Sequence, residues 1–261
     1  MNHLRELLEL PRGKLYAHSA GGFTDASPVK CALASHAEQA ICFDFGDLGN
    51  DALSAGVQIC DSPVPELCKL PFPVCWFECT LSPPGRPAHH IAILAFAVHG
   101  RESLVEAVLF GRGPQGKFWN ASVWGAGACS TEGVYRCEGE NLGDAREVQM
   151  LLALVFGFCQ MLNCQNVERQ HHQPDPDKQK VRRLFGKQPL FSYWTLSVRA
   201  ATRGTGEKCG EPTGPRVRAH LRRGHPRQFA PGRWTWVQPC TVGDAGLGLV
   251  HKDYFLTNRR T

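Results

Sequence analysis

Between Ala145 and Leu162 the chain carries two apolar stripes at helical spacing. Val148, Leu151, Leu152, Val155, Cys159 and Leu162 form one, and Met150, Leu154, Phe158 and Met161 the other. A helix apolar nearly all the way round must lie inside a fold. Gly157, in its middle, costs roughly 1 kcal/mol of helix propensity but lets a neighbouring sheet approach closely. The unbroken apolar runs of the chain are too short to span a bilayer, so core rather than membrane is the expected setting of this helix.

What such a helix covers is written just before it. Apolar runs rich in aromatic and branched residues recur at Phe72 to Leu81, Ile91 to His99, Leu104 to Phe110 and Phe118 to Trp124. They are separated by Pro83-Pro84-Gly85, by Gly100-Arg101 and by the glycine-rich stretch from Gly111 to Gly116. Short connections of that kind favour consecutive antiparallel pairing, hence a four-stranded meander. Ile91 to Val98 is apolar on both strand faces, so both sides of the meander need cover. Pro189 to Val198 reads as a further strand, with Phe191, Tyr193 and Trp194. Leu4, Leu7 and Leu8 suggest a short first helix ended by Pro11, and residues 28–41 a second, capped by Ser27 with Pro28 at its first position. The expected fold class is α+β, an antiparallel sheet packed on a buried helix, with a basic β-rich C-terminal part.

That last part is set off by charge. Residues 1–164 hold 11 Lys and Arg against 17 Asp and Glu, whereas residues 165–261 hold 18 against 7. The overall +5 conceals an acidic first part, 1–164, joined to a basic second part, 165–261. Such asymmetry points to nucleic acid or another polyanion as a partner. Gln165 to Lys187, which includes Lys178, Lys180, Arg182 and Arg183, reads as an exposed loop or insertion, and Thr202 to Pro215 as a flexible link.

The N-terminal ten residues contain acidic side chains where an export signal needs an apolar run, so the expected location is the cytoplasm. There the chain's 12 cysteines are expected as reduced thiols packed like small apolar groups. No Cys-x2-Cys pair offers two thiolates to one metal. Cys75 and Cys79 would lie about 13 Å apart on a strand rising ~3.3 Å per residue. The one set with the right ligands for zinc is Cys209, His220, His225 and Cys240, at irregular spacing, and neither a metal nor another cofactor is expected. Ser19-Ala20-Gly21-Gly22 lacks the Gly-Lys-Ser/Thr ending of a phosphate loop. Asp44, Asp47 and Asp51 lack the closing glutamate of a calcium loop and read as a polar turn. The nucleophile elbow, the zinc-protease helix and the dinucleotide fingerprint do not occur in the sequence.

The most specific pattern lies near the C-terminus: Arg216 to Arg227, then Trp234-Thr235-Trp236-Val237, then Val250 to Leu256. If the first stretch is extended, His220 and Arg222 share one face and Arg223 and His225 the other. Arg218, His220, Arg222, Arg223, His225 and Arg227, with His251 and Lys252, could hold phosphates while Trp234, Trp236 and Tyr254 stack bases, each stack worth about 1–3 kcal/mol. The competing reading makes Trp234 and Trp236 the core of a small β-module.

His-Leu-Arg-Arg-Gly-His at 220–225, Trp-Val at 236–237 and Val-His-Lys-Asp-Tyr at 250–254, preceded by Leu-Asn-Cys-Gln-Asn-Val at 162–167, together resemble the C-terminal part of a broad set of bacteriophage and prophage proteins. The resemblance covers roughly the last 100 residues, and it implies a mobile-element origin and a bacterial cytoplasm. Three function classes follow. The first is a nucleic-acid-binding accessory protein using the basic module. The second is a host-defence antagonist that contacts a host protein complex and needs no active site. The third is a metal-independent ribonuclease using His220, His225 or His251 with Arg222, Arg223 and Lys252. The residues favour a binding protein over an enzyme, and no membrane partner is expected.

Overall fold

The computed structural model describes His36, residues 39–59, 64–82, 85, 87–98, 101–112, 119–137, 143–187, 189–199, 218–222 and 224–250. The meander forms from β2 (Val74–Leu81), β3 (His89–Val98), β4 (Arg101–Arg112) and β5 (Trp119–Ser130), all antiparallel, and β6 (Gly133–Arg136) extends it. At the other side β1 (Ile41–Gly46) lies parallel to both β2 and β8 (Tyr193–Val198), and β7 (Val167–His172) closes that edge antiparallel to β8. The result is one eight-stranded mixed sheet in the order β6-β5-β4-β3-β2-β1-β8-β7. Two of its strands, β7 and β8, come from beyond residue 164.

Alternation along the strands divides the core in two, as the doubly apolar β3 requires. On one face Phe43, Phe45, Phe77, Ile91 and Ile93 meet the helices; on the other Cys42, Trp76, Leu94, Val108 and Phe110 pack together. The His36 ring stacks on Phe96 of this second face at 4.3 Å. Also on it lies the buried carboxylate of Glu78, whose Oε1 accepts a 2.7 Å hydrogen bond from the Trp76 indole and whose Oε2 lies 3.7 Å from His90 Nε2.

The helical layer is α1 (Gly49–Ile59) beside α2 (Ala145–Leu162). A reciprocal capping box starts α2, with Glu147 N–H donating to Asp144 Oδ1 at 2.8 Å and Asp144 N–H to Glu147 Oε2 at 2.9 Å. Every residue from Leu151 to Leu162 is buried. The helix is long and apolar enough to cross a membrane, but here it is enclosed between the sheet and α1. At its end the Asn163 side chain donates to the carbonyl of Leu67, in the short 3-10 turn Pro65–Leu67, at 3.0 Å.

Gly157 admits a helix rather than the sheet: a Cβ there would stand 1.8 Å from the Ala52 carbonyl oxygen of α1, and one on Gly56 would stand 1.7 Å from that of Ala153. And the stretch around Asp44, Asp47 and Asp51 is more than a polar turn, because α1 starts at Gly49 and carries Asp51 in its first turn. Burial raises the Asp51 carboxyl above its ordinary range. Of the helix anticipated at 28–41, His36 and Gln39 are helical, while Ile41 already opens β1; the helix near Leu4 lies outside the described residues.

Gln165 to Lys187 is likewise not a loop: it holds β7 and a surface helix, α3 (Pro176–Leu184). Beyond it the C-terminal part forms two small sheets. A hairpin pairs β10 (His225–Ala230) with β11 (Arg233–Val237), turning at Pro231-Gly232, and a three-stranded sheet sets β9 (Arg218–Arg222) between β12 (Cys240–Val242) and β13 (Asp244–Val250). The hairpin is fastened to the body by Gln165 and Asn166. Gln165 N–H donates to the Trp234 carbonyl at 2.9 Å. The Asn166 amide both donates to the Trp236 carbonyl at 2.8 Å and accepts from the Trp236 N–H at 2.6 Å, standing in for a strand partner.

Candidate functional site

The basic stretch from Arg216 to Arg227 is not one extended strand. β9 ends at Arg222, and Gly224 is pressed against Trp236, so closely that a Cβ there would stand 2.8 Å from the indole ring. Only glycine fits beneath that ring, and the chain passes it from one sheet into the other. This break brings together two residues that alternation along one strand would part: Arg222 Nη2 lies 3.3 Å from His225 Nε2. Arg218, His220 and Arg222 occupy alternate positions of β9, with both arginines exposed and His220 half-buried. Arg227 is exposed on β10 opposite Thr235.

The two tryptophans share a face of β11, as alternation demands, and that face is turned to the body. Trp236 is 2% exposed and belongs to the main core cluster, with Trp234 half-buried against it. Their placement follows from the clasp: Asn166 holds the backbone of Trp236, and its ring fills the space under Gly224. Phe229 and Arg233, outside the sequence pattern, form the exposed end of the hairpin. The guanidinium lies 4.9 Å over the phenyl ring and Arg233 Nη2 donates to Gln165 Oε1 at 3.2 Å. Arg223, His251, Lys252 and Tyr254 lie outside the described residues.

A second basic surface lies within the segment that the sequence predicts as an exposed loop or insertion. Asp175 caps α3, accepting from Asp177 N–H at 2.9 Å, and Pro176 occupies the first helical turn. Lys178, Lys180, Arg182 and Arg183 follow, the last two at the C-terminal end where cations complement the helix dipole. Gln179 anchors the helix, its side chain donating to the Leu190 carbonyl at 2.7 Å and accepting from the Leu190 N–H at 2.8 Å. No residue of α3 is buried, and Leu184 and Phe185 are 76% and 73% exposed. A recess of about 440 Å³ is lined by Pro176, Gln179, Lys180, Arg183 and Leu184. The signal in the sequence was Asp175-Pro176, an N-cap followed by a first-turn proline, with Val181 and Leu184 three apart.

Just before α3 in the chain, β7 stacks its histidine rings on β8. His171 stacks on Trp194 at 4.4 Å and His172 on Tyr193 at 4.8 Å, with His172 Nε2 2.8 Å from the Thr195 hydroxyl. Glu168 on the same strand pairs with Arg199.

Metal-binding clusters of His, Cys, Asp and Glu do not occur among the described residues. Of the four zinc candidates, Cys209 lies outside them, while Cys240, His220 and His225 are distributed over β12, β9 and β10. Most described cysteines are buried and none is in a disulfide. Burial pushes the thiols of Cys42, Cys75, Cys79 and Cys164 up to about 12 from an ordinary 9.0. Cys68 and Cys129 share a hydrogen bond across the 3-10 turn and β5, which raises the pKa of Cys68 and lowers that of Cys129.

Residues 51–244, from α1 to the start of β13, match the sequence model of the family described as AcrVA2-like, the anti-CRISPR type V subtype A2 family. No curated protein and no solved structure matches the chain.

Proposed function

Because this chain belongs to the AcrVA2-like anti-CRISPR family, we propose that it is a mobile-element antagonist of type V CRISPR immunity in the bacterial cytoplasm, acting by non-catalytic contact with a host protein complex. The family match over residues 51–244 carries this reading, since it spans most of α1, all of α2 and α3, and four of the five C-terminal strands. The surface supports it. β9, β10 and α3 carry exposed cations, while many of the aromatic residues are spent on the core. Such a surface suits contact with an acidic face, where charge sets orientation and encounter rate.

A second reading keeps nucleic acid as the partner, on the observation that Arg218, Arg222 and Arg227 are exposed and that Arg222 stands beside His225. Phosphate contacts need no aromatic platform, so the burial of Trp236 leaves it standing as backbone binding without base stacking. In that case affinity falls steeply with salt.

The test is a plating assay. A bacterium whose type V CRISPR system targets a plaque-forming phage is made to express the chain, and plating is expected to return toward that on a strain lacking the system. Unchanged plating with the protein present refutes the antagonist reading. Pull-down on the tagged chain before and after nuclease treatment separates the modes, because a protein contact survives the nuclease and a nucleic-acid bridge does not.

A further inference from the structure

α3 poses a physical question. A nine-residue helix is marginal in water on its own, and most helices in proteins persist because one face is buried. This one buries no residue, yet it is held at its N-terminus by Asp175 and Pro176 and tied to Leu190 by both ends of the Gln179 amide. Capping and anchoring have fixed a shape that the core does not use.

What the helix presents is mixed. Pro176, Gln179, Lys180, Arg183 and Leu184 fall at helical spacing along one face and line the recess, which thus has an apolar border and two cations. Val181, Leu184 and Phe185 are 52%, 76% and 73% exposed. Large apolar groups so exposed beside cations mark an interaction surface when they sit together on a rigid element.

Charge selects among partners. Exposed Lys178, Lys180, Arg183 and Lys187 favour an acidic one. A phosphate backbone would gain nothing from Leu184 and Phe185, and it would meet Asp175 and Asp177 at the helix N-terminus, where an incoming anion would otherwise be welcomed. A protein with an apolar cleft rimmed by carboxylates satisfies all of these groups at once. We infer that α3 is a preformed docking helix that seats Leu184 and Phe185 in an apolar cleft of an acidic host protein, with Lys180 and Arg183 paired to carboxylates at its rim. This deepens the antagonist reading by naming the surface that makes the contact, and it rests on that reading.

The experiment uses the full chain in cells carrying a type V CRISPR system. Two variants are compared with wild type at equal protein level: Leu184→Ser with Phe185→Ser, which removes the apolar anchor, and Lys180→Glu with Arg183→Glu, which inverts the rim. All four side chains are solvent-facing or half-buried at most, so far-UV circular dichroism and melting temperature should match wild type. Each variant is expected to lose protection of the phage by at least about tenfold, the effect of removing one interface anchor. Full protection by both variants overturns the α3 assignment and leaves the antagonist reading intact. Should wild type itself fail to protect, that reading falls, and α3 is judged separately by photocrosslinking from p-benzoylphenylalanine at position 185. Crosslinks mapped to an acidic protein segment with apolar residues, and abolished by Lys180→Glu with Arg183→Glu, support the docking helix. Crosslinks to nucleic acid, or none, overturn it.

Discussion

Substituting Gly157 by alanine tests the closest joint in the molecule. A Cβ on Gly157 would lie 1.8 Å from the Ala52 carbonyl oxygen, 2.7 Å from its carbon and 3.1 Å from the Gly56 nitrogen. A comfortable carbon to oxygen approach is about 3.3 Å, so α1 and α2 must separate by roughly 1.5 Å. The obstacle is backbone, which no rotamer change relieves. A gap of even 0.5–1 Å forfeits about a quarter to a half of the dispersion energy across a contact. Overpacking of this kind costs typically about 1–3 kcal/mol, sometimes more, against a gain of about 1 kcal/mol in helix propensity. With backbone on the far side the cost sits at the upper end, giving a net loss of about 2 kcal/mol. At about 2–4 °C per kcal/mol for a chain of this size, the melting temperature should fall by roughly 4–8 °C.

The same joint is met from the other side by Gly56, where a Cβ would lie 1.7 Å from the Ala153 carbonyl oxygen. Gly56→Ala should therefore cost a similar amount, and the double variant less than the sum, because the first alanine has already opened the gap that the second needs. Urea midpoints at constant slope measure all three. A Gly157→Ala protein as stable as wild type, or more so, would refute the close crossing, and strict additivity would place the two glycines at independent contacts.

Asn166→Ala removes both hydrogen bonds that hold the Trp236 backbone and should cost about 1–3 kcal/mol. The loss should appear first as faster amide exchange in β10 and β11, with β2 to β5 unchanged; uniform acceleration would count against a local clasp. Alkaline pH should destabilise the fold. With Cys42, Cys75, Cys79 and Cys164 raised to about 12 in the native state against an ordinary 9.0, the unfolded chain releases thiol protons that the folded chain keeps. The stability these thiols confer is thus complete below pH 9 and is lost between pH 9 and 12, by on the order of 1 kcal/mol per thiol at pH 10. Urea midpoints at pH 8, 9 and 10 should fall, and Cys75→Ala should flatten the profile; a level profile in wild type would argue against burial of the thiols.

The elements legible from sequence were those with a clear period. α2 showed two apolar stripes, and β2 to β5 showed aromatic and branched runs between glycine and proline turns. α1 was hidden by its composition: Ala52, Ala55 and Gly56 are small because a second helix lies against them, and the same smallness removes the apolar period that would reveal a helix. α3 was hidden for the opposite reason, since with no buried face it carries only Val181 and Leu184 among its charges, too few apolar residues to show a period. At the basic surface, residue type was legible and arrangement was not. The break between β9 and β10 depends on the Trp236 ring lying under Gly224, and the burial of that ring depends on Asn166, 70 residues away. No local pattern encodes such a contact. The parallel seating of β1 between β2 and β8 was equally invisible, because it joins strands far apart in the chain.

That seating dictates an order of events on the ribosome. The meander from β2 to β6 can close from neighbouring segments as it emerges, and it can take up β1 along one side. The other side of β1 stays open until Tyr193–Val198 has been synthesised, since β8 alone pairs there. Through most of translation the nascent chain therefore presents an unpaired strand edge bearing Phe43 and Phe45, the kind of edge that chaperones shield and that joins other chains when it is left bare.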